Sequence, residues 1–158
     1  MASGFYLIAL VCLTTGLWIN AAHAESCKAC PTGWTPFGDH CYAFHFSHKD
    51  WADAEVSCVK LGGNLASVHS KEQYDFLKTL IRTLTGGDPQ TWVGGYDAVK
   101  EGVWLWSDGS SFADFKFWGP TQPSNYRGME NCMELNWRGA INDIGCNARL
   151  HYVCGMRL

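Results

Sequence analysis

Cysteine placement constrains this chain more than any other feature. Cysteines stand at 12, 27, 30, 41, 58, 132, 146 and 154 of 158 residues. That density in a short chain belongs to an oxidising compartment, where cross-links supplement a small core. Residues 1–24 contain no Asp, Glu, Lys or Arg, and Phe5 to Leu13 is an apolar run too short to span a bilayer. Ala22-His23-Ala24 follows as a small-x-small cleavage pattern. We therefore read residues 1–24 as a secretory signal peptide, 25–29 as a short N-terminal lead and 30–158 as one domain. Cleavage removes Cys12 and leaves an odd set of seven cysteines. Six can pair internally in fifteen ways, and sequence alone does not choose among them. The seventh is left for another chain, a small thiol or nothing.

Composition narrows the function. Charged residues are 17% and aromatics 14%, with eight Trp, which excludes a disordered polypeptide. The net charge is −3 and no two Lys or Arg are adjacent, so no nucleic-acid partner is expected. No segment after residue 24 is long and apolar enough to anchor in a membrane, which points to a soluble, extracellular product. Asn-x-Ser/Thr is absent, so no N-glycan is expected.

Along the chain, Cys30 to Tyr42 reads as a hairpin, with Pro and Gly punctuating aromatics. Tyr42, Phe44 and Phe46 alternate as in a half-buried strand. A first helix is expected to start near Ser47 and Asp50, to carry Trp51, Ala54, Cys58 and Leu61 on one face, and to stop at Gly62-Gly63. A second begins at the capping box Ser70–Gln73, buries Tyr74, Leu77, Ile81 and Leu84, and ends at Gly86-Gly87. Beyond Pro89, short aromatic pieces alternate with turns, and residues 107–130 read as a long irregular loop. A loop of that length has a job or a staple. The class is α+β.

Several motifs then occur together in one order. They are Cys30-Pro31-x-Gly33-Trp34…Cys41-Tyr42; Trp92-Val93-Gly94-Gly95; Trp104-x-Trp106-Ser107-Asp108-Gly109; Trp118-x-x-x-Gln122-Pro123 through Glu130-Asn131-Cys132; and Asn142-Asp143…Cys146…Tyr152-Val153-Cys154. Over residues 30–154 the chain resembles long-form C-type lectin domains, and within them fish plasma and venom galactose lectins. The resemblance implies two helices flanking antiparallel sheets, with a long calcium-site loop. It also implies the pairings Cys30–Cys41, Cys58–Cys154 and Cys132–Cys146. Trp51, Trp92, Trp104 and Trp106 are expected in the core.

Gln122, Ser124, Glu130, Asn142 and Asp143 fall at the family's principal calcium positions. Calcium takes six to eight hard oxygen ligands, which this set supplies without soft donors. The resemblance implies a cis Pro123 and a sugar that places two vicinal hydroxyls on the ion, contacted by Gln122, Ser124, Glu130 and Asn142. Each hydroxyl donates to a carboxylate and accepts from an amide. Gln122-Pro123 is the galactose-type opening of the family motif. Ser124 departs from the family's Asp and lowers the formal ligand charge to −2, so weaker calcium binding is expected. Tyr126 is placed to stack on a sugar's apolar face. Asn125 and Asn131 stand where the family's auxiliary calcium site has acids, so that site receives no residues.

His45 and His48 read as ordinary structure, since two ligands lack a third. No nucleophile elbow, zinc-protease or phosphate-loop motif is present, so no enzyme is expected. Cys27, the odd cysteine in an exposed lead, is expected to link chains into a disulfide-bonded homo-oligomer. Two other functions fit the same fold: an ice-binding protein of the type II antifreeze kind, using Trp118, Thr121 and residues 124–126, and a sugar-independent protein-binding module.

Overall fold

The computed structural model describes residues 29–113 and 115–158. Residues 1–24, read above as a signal peptide, and Cys27 lie outside the described residues. Strand β1 (Thr35–Phe37) turns through Gly38-Asp39 into β2 (His40–Lys49), with Phe37 opposite His40. Gly38 has φ +59°, the positive value glycine supplies at the first central position of a tight hairpin. Helix α1 (Trp51–Lys60) follows, then β3 (Asn64–Leu65), α2 (Lys71–Thr85), β4 (Thr91–Tyr96) and β5 (Leu105–Trp106). After the long loop come β6 (Cys132–Trp137), β7 (Ala140–Ile144) and β8 (Leu150–Arg157).

The main path of the sheet runs β1-β2-β8-β4-β6-β7, with β3 on β8 and β5 on β4. The ladders are antiparallel except β4–β8, which is parallel, because the C-terminal strand inserts between β2 and β4. The sheet is thus mixed rather than purely antiparallel. Three disulfides form, Cys30–Cys41, Cys58–Cys154 and Cys132–Cys146. The second joins α1 to β8 across 96 positions, and closing so long a loop in the unfolded chain is worth about 4–5 kcal/mol in the chain-entropy view.

Both helices form where expected, with two shifts. Ser47 is not part of the α1 cap. It lies in β2, which continues past a bulge to Lys49, and Asp50 accepts from the Asp53 N–H at 2.9 Å. In α2, Ser70 accepts from the Gln73 N–H at 3.1 Å. The Gln73 side chain then bonds the His69 N–H at 2.9 Å and donates inward to the Tyr42 hydroxyl at 2.7 Å. Its buried face is Gln73, Leu77, Leu80 and Ile81, and Leu84 is exposed.

Trp92, Trp104 and Trp106 are buried and Trp51 partly so. Two positions of β4 are tight: a Cβ on Gly94 would lie 2.6 Å from the Leu65 carbonyl oxygen, and one on Gly95 would lie 2.8 Å from the Met133 sulfur, so that side chain would have to shift. Glu55 of α1 accepts from the Leu65 N–H at 2.7 Å and the Ser107 hydroxyl at 2.9 Å, tying helix, β3 and the start of the loop together. The first half of the loop is stapled by rings. Trp118 meets Trp104 at 4.7 Å, and Phe112, Phe115 and Phe117 pack around Trp106 and Tyr74. That packing, together with the Gly119 N–H bonded to the Ile141 carbonyl at 2.8 Å, presents residues 121–130 on a fixed base.

Candidate functional site

Two elements build the site. One is the loop segment 121–130, whose Gln122–Pro123 peptide is cis, with Thr121, Asn125 and Arg127 at positive φ. The other is β7, where Asn142 faces Glu134 and Asp143 faces Met133 across the ladder. Asp143 is fully buried and holds the loop by its backbone: Oδ1 accepts from the Ser124 N–H at 2.8 Å and Oδ2 from the Asn125 N–H at 2.6 Å. Glu130 Oε2 accepts from the Ser124 hydroxyl at 2.8 Å and the Tyr126 N–H at 2.7 Å. Asn125 Oδ1 closes the turn by accepting from the Glu130 N–H at 3.3 Å.

Glu130, Ser124 and Asp143 are therefore brought together directly. Asn142 is held from behind: its amide donates to Glu134 Oε1 at 2.9 Å, which also accepts from Gln90 at 3.1 Å. Anchoring that nitrogen turns the Asn142 carbonyl oxygen the other way. Gln122 Oε1 is buried with no hydrogen-bond partner. An orphaned carbonyl oxygen beside a loop held by two carboxylates is what a hard cation would complete. The five predicted residues fit calcium by donor chemistry, all oxygen with formal charge −2. Among the described residues, no three His, Cys, Asp or Glu side chains converge on one metal position, so amide and hydroxyl oxygens have to complete the set.

Sequence reasoning missed Glu134. It is fully buried, and burial first of all pushes its carboxyl up to about 7, with the charges of Glu130 and Asp143 adding to the rise. Its Oε2 has no partner. An acid in the middle of an apolar strand sequence, Cys132-Met133-Glu134-Leu135, was the available signal.

Tyr126 is 60% exposed, and the Arg127 guanidinium lies 5.0 Å from its ring centre. Trp118, which the ice-binding reading uses with Thr121, is partly buried and packs against the core cluster. At the auxiliary positions, Asn131 donates to Asp97 at 3.1 Å and Glu101 at 3.4 Å, so an amide bridges two acids. His45 and His48 do not meet. His45 stacks on Tyr152 at 4.6 Å, whereas His48 lies 4.0 Å from His151.

A two-helix, three-disulfide fold with a long loop braced on β7 defines the class of C-type lectin-like proteins. The family described as Lectin C-type domain matches residues 47–156, and the chain belongs to that family. It is 41% identical to the galactose-specific lectin nattectin of Thalassophryne nattereri over 160 residues, covering all of both chains. To ladderlectin of Oncorhynchus mykiss it is 46% identical over 125 residues, 78% of this chain and 65% of that one. Among solved structures, the type II antifreeze protein of herring superposes with a TM-score of 0.75 at 34% identity, covering 82% of this chain and 99% of that one.

Proposed function

We propose that the chain is a secreted, calcium-dependent lectin for galactose-type sugars, with Gln122, Ser124, Glu130, Asn142 and Asp143 as the ion's ligands. The observation that carries the reading is the buried, unpartnered Gln122 Oε1 on a loop whose neighbouring acids are already oriented by backbone N–H groups. Bound calcium supplies open coordination positions for two vicinal hydroxyls. The chain's own residues do the rest: Glu130 accepts from one hydroxyl, the Asn142 and Gln122 amides complete the pairing, and Tyr126 offers an apolar face for the sugar ring. Gln122 at the head of the motif and the likeness to a galactose-specific lectin support the sugar class. Among the described residues no helix is long and apolar enough to cross a membrane.

The test is retention on immobilised galactose in calcium, with elution by EDTA. Passage straight through the column in calcium sinks the reading and leaves the protein-binding module. The likeness to the herring antifreeze protein favours ice binding as the second reading. Thermal hysteresis of the purified protein decides that one. We also propose that Cys27 links chains, which raises avidity by about 10²–10⁴ where both sites engage one surface. Identical monomer bands on reducing and non-reducing gels would exclude it.

A further inference from the structure

We propose that His48 and His151 form a two-imidazole chelate for a divalent transition-metal ion of the copper or nickel kind, on elements that contribute nothing to the calcium loop. The two residues lie on β2 and β8, remote in sequence and adjacent in the sheet. The ladder pairs His45 with Tyr152 and Lys49 with Leu150, and the bulge between those pairs swings His48 over His151. Their ring centres are 4.0 Å apart with 41° between the planes.

The hydrogen bonding decides which nitrogen is free. His151 Nδ1 lies 2.9 Å from the Phe46 carbonyl oxygen. A carbonyl only accepts, so Nδ1 carries the proton and Nε2 keeps its lone pair. This is the arrangement that orients metal-binding histidines, in which the second ring nitrogen donates to a backbone carbonyl. Phe44 and Phe46 pack on the His151 ring at 5.4 and 6.4 Å and restrict its rotation. His48 is exposed, and its ring nitrogens bond no described residue.

Ring spacing selects the ion. With metal–nitrogen distances near 2.0–2.1 Å, two cis imidazoles at a right angle have centres roughly 4.5 Å apart, and at a tetrahedral angle roughly 5.2 Å. The observed 4.0 Å is shorter than both, so the exposed His48 ring has to open by roughly 0.5 Å to reach the right-angled spacing that square-planar copper(II) and octahedral nickel(II) use, and by more than twice that for the tetrahedral spacing of zinc. Among the described residues no third His, Cys, Asp or Glu joins the pair, so water fills the remaining positions. The charged group bonded here is Arg149, whose guanidinium donates to the His48 carbonyl at 3.0 Å. Asp88 borders the same hollow as His151, but its carboxylate is bound by Arg82, so attraction rests on imidazole lone pairs, which suit copper and nickel and not calcium or magnesium.

The experiment uses full-length secreted protein without an affinity tag, stripped with EDTA and titrated with NiCl₂ by calorimetry at pH 7.5. The expected result is one saturable site per chain, with His48→Gln and His151→Gln each weakening it at least tenfold and His40→Gln leaving it unchanged. Melting temperatures within a degree or two of the parent keep the loss from being one of folding, and the exposed His48 makes its variant the safer of the two. Absence of saturable heat in the parent, or undiminished binding in both variants, overturns the proposal. Excess calcium is expected not to compete, and competition would overturn the separation from the loop site.

Discussion

The Ser124 hydroxyl donates to Glu130 Oε2 at 2.8 Å, so the loop carries a hydrogen-bond donor where the galactose-type family motif has a second acid. This bond links the metal-free geometry to the metal requirement. A hydroxyl beside a carboxylate is stable alone, whereas two carboxylates at that spacing repel unless a cation lies between them.

Replacing Ser124 therefore has opposite effects in the two states. In EDTA, Ser124→Asp removes the donor and sets a like charge against Glu130, costing about 1 kcal/mol at this exposed position. In calcium, the added carboxylate raises the formal ligand charge and tightens binding by about tenfold. Thermal melts with and without calcium check this. The calcium-induced rise in melting temperature is expected to be larger in the variant than in the parent, and an equal rise would contradict it.

The two acids are not equivalent. Both backbone N–H groups that Asp143 accepts from are distributed over its two oxygens. Asp143→Asn leaves one of them facing an NH₂ group in a buried site, a loss of about 1–3 kcal/mol even without calcium. Glu130 accepts both of its partners through Oε2, so Glu130→Gln keeps both bonds on one oxygen and costs under about 1 kcal/mol. Both variants are expected to lose calcium-dependent galactose retention, and only Asp143→Asn to melt earlier in EDTA.

His45 sets part of the acid limit. Its Nε2 is buried without a partner and its ring stacks on Tyr152, and burial holds its pKa below the usual histidine range. The unfolded chain, near 6.5, then takes up a proton more readily than the folded one, so this residue's contribution to stability is lost as pH falls through that value. His45→Phe keeps the stacking and removes the titration. Its melting temperature is expected to fall less than the parent's between pH 7 and pH 5, and parallel curves would refute this.

Local signals were legible and distant ones were not. The capping box at Ser70 and Gln73 and the glycine stop at Gly86 were readable because they act within a few residues. Ser47 misled because the bulge that prolongs β2 is set by its partner strand β8. Leu84 fits the helical period, yet it is left 48% exposed beside an open hollow it shares with Phe46 and His151, and Leu80 takes the buried place. The five proposed oxygen ligands, three on the loop and two on β7, were readable by family spacing, and the hydrogen bonds that hold them were not. Glu134 behind Asn142 and His151 beside His48 became neighbours only through strand pairing, which no sequence window contains.

The position of β8 has a consequence for how the molecule is made. It follows every other described element in the chain, yet among the described residues it is the only strand joining β1–β2 to β4–β6–β7 along the main path of the sheet, and it carries the partner of Cys58. Without β8, β1–β2 and β4–β6–β7 would be two half-sheets with open edges, and Cys58 on α1 would lack its partner. The fold cannot be completed piecemeal, because its longest-range contacts close only when β8 is in place. Docking of β8 is thus the step that unites the two half-sheets and brings Cys154 to Cys58, and until it docks both half-sheets keep an edge open to unwanted pairing.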